Sequence, residues 1–154
     1  MLEIRAARFP DELETVRGLF RDYARLLDED LCFQGFEAEL AGLPEAYGPP
    51  RGLLLLGLAE GRPRGCVALR DQGGGVCEMK RLFVEPGARG LGLGRRLCGE
   101  LIARARGLGF RSMRLDTLAR LREALALYAA LGFKPIPPYY ANPLPNVIYL
   151  ALEL

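Results

Sequence analysis

The stretch Arg89-Gly90-Leu91-Gly92-Leu93-Gly94-Arg95-Arg96 places three alternating glycines between a strand pattern and a helical one. Glycines at this spacing let backbone N–H groups converge with no side chain between them, and the positive end of the following helix adds to them. The result suits a phosphate or pyrophosphate. A P-loop would need Gly-Lys-Ser/Thr at its end, whereas Gly94 is followed by Arg95-Arg96. A dinucleotide fingerprint would need G-x-G-x-x-G after the first strand of a βαβ unit. Here the third glycine comes one position early, and what precedes it is a run of strands.

Those strands are Gly52–Ala59, Gly65–Arg70 and Val76–Val84, separated by the turns Glu60-Gly61-Arg62-Pro63 and Gln72-Gly73-Gly74-Gly75. Links this short predict an antiparallel meander. Upstream, Leu2–Ala6 alternates as a short strand. Pro10 suits a first helical position, and Asp11, Glu12 and Glu14 suit the positive helix end. Leu13, Val16, Phe20, Tyr23 and Leu27 recur at helical spacing, and a second short helix is expected over Gly35–Leu43. Downstream, Leu93, Leu97, Leu101, Ala105 and Leu108 form a helix, Phe110–Leu118 a strand and Arg122–Leu131 a helix. Phe133–Ile136 and Val147–Leu152 are the last strands, joined by a loop rich in proline and tyrosine. The order β, α, α, three β, α, β, α, β, β predicts an α+β (mixed α/β) layout with helices on one central sheet. No composition break marks a linker, so residues 1–154 read as a single domain.

Composition narrows the chemistry. There is no histidine, which removes Ser-His and Cys-His nucleophiles and the common zinc sites. Acid–base work falls to carboxylates, tyrosines, cysteines or water. Cys32, Cys66, Cys77 and Cys98 form no C-x-x-C pair and read as small core residues in a reducing compartment, with no metal. A formal net charge of +2 demands neither nucleic acid nor an anionic membrane. The N-terminus lacks a basic region followed by an apolar run, so no signal peptide is expected and the location is expected to be cytoplasmic. The run Leu53–Leu56 is far too short to span a bilayer.

Two stretches together resemble the GNAT superfamily of acyl-CoA-dependent N-acetyltransferases. Glu78-Met79-Lys80-Arg81-Leu82-Phe83-Val84-Glu85-Pro86 followed by Arg89-Gly90-x-Gly92-x-Gly94 is similar to the family's fourth strand and pyrophosphate loop. Ala124-x-x-Leu127-Tyr128-x-x-Leu131-Gly132-Phe133 is similar to its second signature helix. The resemblance implies the GNAT-type fold: a central, mostly antiparallel twisted sheet flanked by helices, with fourth and fifth strands splayed around the pantetheine arm of acetyl-CoA. On that pattern the backbone of Leu82, Phe83 and Val84 meets pantetheine by strand addition. Arg89, Gly90, Leu91, Gly92, Leu93, Gly94 and Arg95 hold the pyrophosphate. Leu82 and Val84 also read as plain core, which is compatible with contacts made by backbone.

The same resemblance implies Tyr128 as the general acid for the departing CoA sulfur. It implies Glu78 as the carboxylate that deprotonates the amine, often through water, with Asp116 at the end of the fifth strand as rival. The loop carrying Tyr139 and Tyr140 lies where the family shapes its acceptor pocket, although proline and tyrosine equally suit a covered sheet edge. Arg120, Arg122 and Lys134 are candidates for the 3′-phosphate. The family's frequent asparagine before the second signature helix has no counterpart from Leu118 to Arg122. The expected acceptor is a small-molecule primary amine, attacked directly and without a covalent enzyme intermediate. A protein or peptide acceptor and a silent acyl-CoA-binding module are the alternatives, and a homodimer is compatible with the family.

Overall fold

The computed structural model describes residues 1–29, 31 and 35–154, so Cys32 lies outside the described residues. The chain runs β1 (Leu2–Ala6), α1 (Leu13–Leu27), α2 (Phe36–Ala41), β2 (Leu53–Ala59), β3 (Arg62–Asp71) and β4 (Val76–Val84). It continues through α3 (Leu93–Gly107), β5 (Ser112–Leu118), α4 (Arg122–Leu131), β6 (Lys134–Pro135) and β7 (Val147–Glu153). The strands form one seven-stranded sheet in the order β1-β2-β3-β4-β5-β7-β6. Every neighbouring pair is antiparallel except β4 with β5.

The expected meander is present. Its first turn is tighter than the sequence suggested: Glu60 and Gly61 both take positive φ (51° and 76°), and Arg62 and Pro63 already belong to β3. Two central residues of positive φ match the twist of the flanking strands. Pro10 is not a first helical residue, because α1 starts at Leu13 with Glu12 as its cap residue. Glu12 instead serves the entry to that helix. It accepts from Arg5 at 2.7 and 2.8 Å and from the Arg8 N–H at 2.7 Å, and the Arg5 pairing holds its carboxyl down at about 2.

Side chains alternate across the sheet into two cores. Leu55, Val67, Leu69, Cys77 and Met79 pack under α3 and α4, while Leu54, Leu56, Cys66 and Ala68 pack under α1 and α2. Leu97, Cys98, Leu101 and Ala105 of α3 are fully buried. Each such leucine contributes about 1.5–3 kcal/mol by leaving water. Gly57 lets the first turn of α3 press onto β2, since a Cβ there would lie 2.9 Å from Leu93 Cδ1. This contact fixes where the helix N-terminus sits. The cysteines at 66, 77 and 98 are buried free thiols, and burial pushes those of Cys77 and Cys98 up to about 12. Among the described residues no helix is long and apolar enough to cross a membrane.

One irregularity changes how β4 faces the rest of the molecule. Cys66 pairs with Phe83 but Ala68 pairs with Lys80, so Val67 alone opposes Arg81 and Leu82. This is a β-bulge, and Arg81 carries its positive φ of 60°. The extra residue reverses the alternation. Arg81 and Phe83 turn toward α1 and α2, while Leu82 and Val84 turn toward α3 and α4 and are only partly buried. Leu82 and Val84 are therefore wall residues more than plain core.

Candidate active site

The parallel ladder between β4 and β5 is three pairs long, from Val76 with Ser112 to Glu78 with Arg114. Beyond it β5 stays paired to β7 as far as Leu118 with Val147, and β4 stays paired to β3 up to Val84 with Gly65. The two strands therefore splay apart, leaving the edge of β4 from Met79 to Val84 without a ladder partner on that side. An edge of this kind can receive an extended ligand as an added strand.

Two cavities occupy the gap and share Tyr23, Leu27, Leu82, Leu121 and Ala124 as wall. The larger, about 730 Å³, runs along Leu82, Phe83 and Val84 and over the glycine loop to the start of α4. Of the residues expected to hold a cofactor, Arg89, Gly90, Gly92, Leu93 and Gly94 also line it. Leu91 and Arg95 do not, and Leu91 is exposed. Gly90 and Gly92 take φ of 85° and 82°. Gly92 is the cap residue of α3, and its carbonyl accepts from the Arg96 N–H at 3.1 Å. The N–H groups of Leu93, Gly94 and Arg95 in that first turn have no intrahelical acceptor, as at any helix start. Leu93 and Gly94 line the cavity, so free N–H groups of a kind that suits an anion stand at its glycine-loop end. Arg120 and Arg122 line it too, whereas Lys134 sits on β6, paired to Ala151, and is not part of its wall.

The smaller cavity, about 80 Å³, lies deeper between β4 and β5. It brings together Tyr128 from α4, Asp116 from β5, Lys80 from β4 and Tyr23 from α1. Tyr128 is 6% exposed and meets Phe133 edge to face at 5.7 Å. Burial raises its phenol well above the ordinary value, so it stays protonated. Lys80 is 8% exposed, and burial, aided by the charge of Arg81, brings its ammonium down to about 8.

The two candidate bases have different surroundings. Glu78 is 1% exposed and pairs with Arg70 of the neighbouring strand. Its carboxylate accepts from Arg70 at 2.8 Å, Gln72 at 3.0 Å and the Tyr139 hydroxyl at 2.7 Å, and it is not part of either cavity wall. Asp116 lines the smaller cavity and accepts from the Tyr140 hydroxyl and from Asn142 Nδ2, the latter at 2.7 Å. Tyr139 and Tyr140 thus each reach one of the two carboxylates. Arg114 stacks on the Tyr139 ring at 3.9 Å.

Sequence reasoning passed over Asn142, Lys80 and Tyr23. Asn142 follows Ala141 and precedes Pro143, an ordinary turn signature, and nothing local says that it faces β5. It places an amide beside the cleft from a loop far along the chain, although no asparagine precedes α4.

The sequence model of the Acetyltransferase (GNAT) family matches residues 13–133. An uncharacterized N-acetyltransferase of Schizosaccharomyces pombe is 45% identical over 99% of this chain and 95% of its own. A GNAT-family acetyltransferase structure from Staphylococcus aureus superposes with a TM-score of 0.82 at 18% identity, over 99% of both chains. The PaiA N-acetyltransferase of Thermoplasma acidophilum, solved in complex with coenzyme A, gives 0.79 at 17% identity, over 100% of this chain and 99% of its own. The open β4 edge, the bulge and the glycine loop define an acyltransferase fold, and the chain belongs to the GNAT family of acetyltransferases.

Proposed function

We propose that this chain transfers the acetyl group of acetyl-CoA to a primary amine of a small molecule, in the cytoplasm and by direct attack. The observation that carries the reading is the continuous path from the glycine loop, along the unpaired edge of β4, to a narrow cavity where Tyr128 and Asp116 meet. The coenzyme-A complex of the Thermoplasma relative supports the choice of cofactor. The small volume at the acceptor end suits a small amine better than an extended peptide.

In this reading the pyrophosphate lies on the N–H groups opening α3, and pantetheine adds to the edge of β4 at Leu82–Val84. The thioester carbonyl then lies near the bulge, where a backbone N–H of Leu82–Val84 stabilises its developing oxyanion. The amine nitrogen bonds to the carbonyl carbon, the tetrahedral intermediate collapses with cleavage of the C–S bond, the sulfur takes a proton from the Tyr128 hydroxyl, and the proton shed by the new amide nitrogen restores that hydroxyl. The amine arrives as an ammonium, its solution pKa about 10, and must first lose a proton. Asp116 takes it, because it shares the cavity with Tyr128. Glu78, first choice on the sequence pattern, is held by three donors away from that cavity, so it anchors Tyr139 in this reading.

Calorimetric titration with acetyl-CoA, with ATP and NAD as controls, tests the cofactor. Saturable binding of acetyl-CoA alone is expected, and amines can then be screened by CoA release. Binding of ATP or NAD in its place would sink the reading. Gly92→Val should weaken acetyl-CoA binding at least tenfold. A Cβ at φ 82° meets no neighbouring atom, so the cost is local backbone strain of about 1–3 kcal/mol together with displaced N–H groups. Unchanged affinity in that variant would remove the pyrophosphate assignment.

A further inference from the structure

Asp116 is held in place by a loop that is itself fixed at several points. Asn142 Nδ2 lies 2.7 Å from Asp116 Oδ2 and 3.1 Å from the Tyr140 hydroxyl, which donates to the same oxygen. Asn142 is fixed in turn: its Oδ1 accepts from the Leu144 N–H at 2.9 Å, and its own N–H donates to the Tyr149 hydroxyl at 3.3 Å. That hydroxyl donates to the Tyr140 carbonyl at 2.7 Å. The rings of Tyr139, Tyr140 and Tyr149 pack mutually at 5.4–5.9 Å, and Tyr139 is tied down to Glu78. Both donors fall on one oxygen of Asp116. Among the described residues Oδ1 has no donor, although the carboxylate lines the cavity. The groups facing Asp116 are Lys80 and Arg81 from β4, Tyr23 from α1, Tyr128 from α4 and Tyr140 from the loop.

We propose that Tyr140 and Asn142 are positioning residues that clamp Oδ2 of Asp116 and so make Oδ1 the oxygen that receives the acceptor's ammonium. This rests on the acetyltransferase reading above. A carboxylate left free about its terminal torsion would present either oxygen, and a proton acceptor misplaced by a fraction of an ångström is a poor one. On this reading the loop acts on the amine through Asp116, and its two hydroxyls serve the carboxylates in preference to the substrate.

The test measures kcat and acceptor KM for Tyr140→Phe, Asn142→Ala, Asp116→Asn and the two double variants. The probes are a panel of primary amines (an alkylamine, an aralkylamine, a diamine and an α-amino acid), with acetyl-CoA affinity followed by calorimetry. Tyr140→Phe keeps the aromatic cluster, and Asn142→Ala removes the second donor independently. Each single loop variant should lose about tenfold in kcat/KM for the amine, the worth of one hydrogen bond to a charged group, with acetyl-CoA affinity unchanged. In the Asp116→Asn background that loss should vanish, because residues acting through one group are non-additive. Losses that persist undiminished there, or full activity in Asp116→Asn, would overturn the proposal and leave the acetyltransferase reading standing. Turnover of no amine by the unaltered protein, despite bound acetyl-CoA, would remove both.

Discussion

Tyr128→Phe should lower kcat by roughly 100-fold, the lower end of what a positioned acid contributes, while acetyl-CoA affinity changes by less than about twofold. The split follows from where the hydroxyl works. Phenylalanine keeps the buried ring and its edge contact with Phe133, so the packing of α4 on the sheet survives. On the proposed mechanism what is lost is one proton donor that matters only as charge develops on the departing sulfur, and an interaction confined to the transition state appears in kcat. Burial keeps the phenol protonated, so the donor is present at any working pH. Steady-state kinetics beside a calorimetric titration check this. An unchanged kcat would make Tyr128 a core tyrosine with no part in the chemistry.

The second large effect concerns the bulge. Arg81 is 3% exposed and binds Glu39 of α2 through two bonds, Nε to Oε2 at 2.9 Å and Nη2 to Oε1 at 2.7 Å. The rings of Tyr23 and Phe36 lie 5.4 and 5.3 Å from the guanidinium carbon. Arg81→Ala leaves the Glu39 carboxylate, only 10% exposed, without its cation, which should cost about 3 kcal/mol. Denaturant unfolding reads that loss directly. The double variant Arg81→Met with Glu39→Leu replaces both charges by apolar groups and should recover most of it, since an intact buried pair contributes little over well-packed hydrophobic residues. If the double variant is as unstable as Arg81→Ala, the pair is not the reason for the loss.

Much of the fold was legible in the residues. The three strand runs and their short turns predicted the meander, and the period change after Gly94 predicted α3. Both signals are local: turn chemistry and side-chain period act over a few residues, and each was as the chain displays it. The glycine loop was legible for the same reason, because Gly90 and Gly92 do take the left-handed conformations that alternating glycine permits. Element boundaries were less so. Pro10 reads as a helix start, yet Glu12 is drawn to Arg5 and Arg8 and α1 begins only at Leu13.

The acceptor end of the site was decided by contacts distant in sequence. Glu78 and Asp116 are both strand carboxylates, and nothing local distinguishes them. The ladder to β5 closes over Glu78 and opens before Asp116, and Tyr139 and Tyr140 reach one each from beyond α4. The bulge is equally invisible in the string Lys80-Arg81-Leu82, since Arg81 at φ 60° finds its partners, Glu39, Tyr23 and Phe36, on elements distant in sequence. The strand–loop–helix unit that suits a pyrophosphate can be read from the residues, because the left-handed conformations it needs are ones that alternating glycines permit locally. Which carboxylate faces the cavity is settled by long-range packing, because it depends on where two strands part and on which loop returns to lie across them.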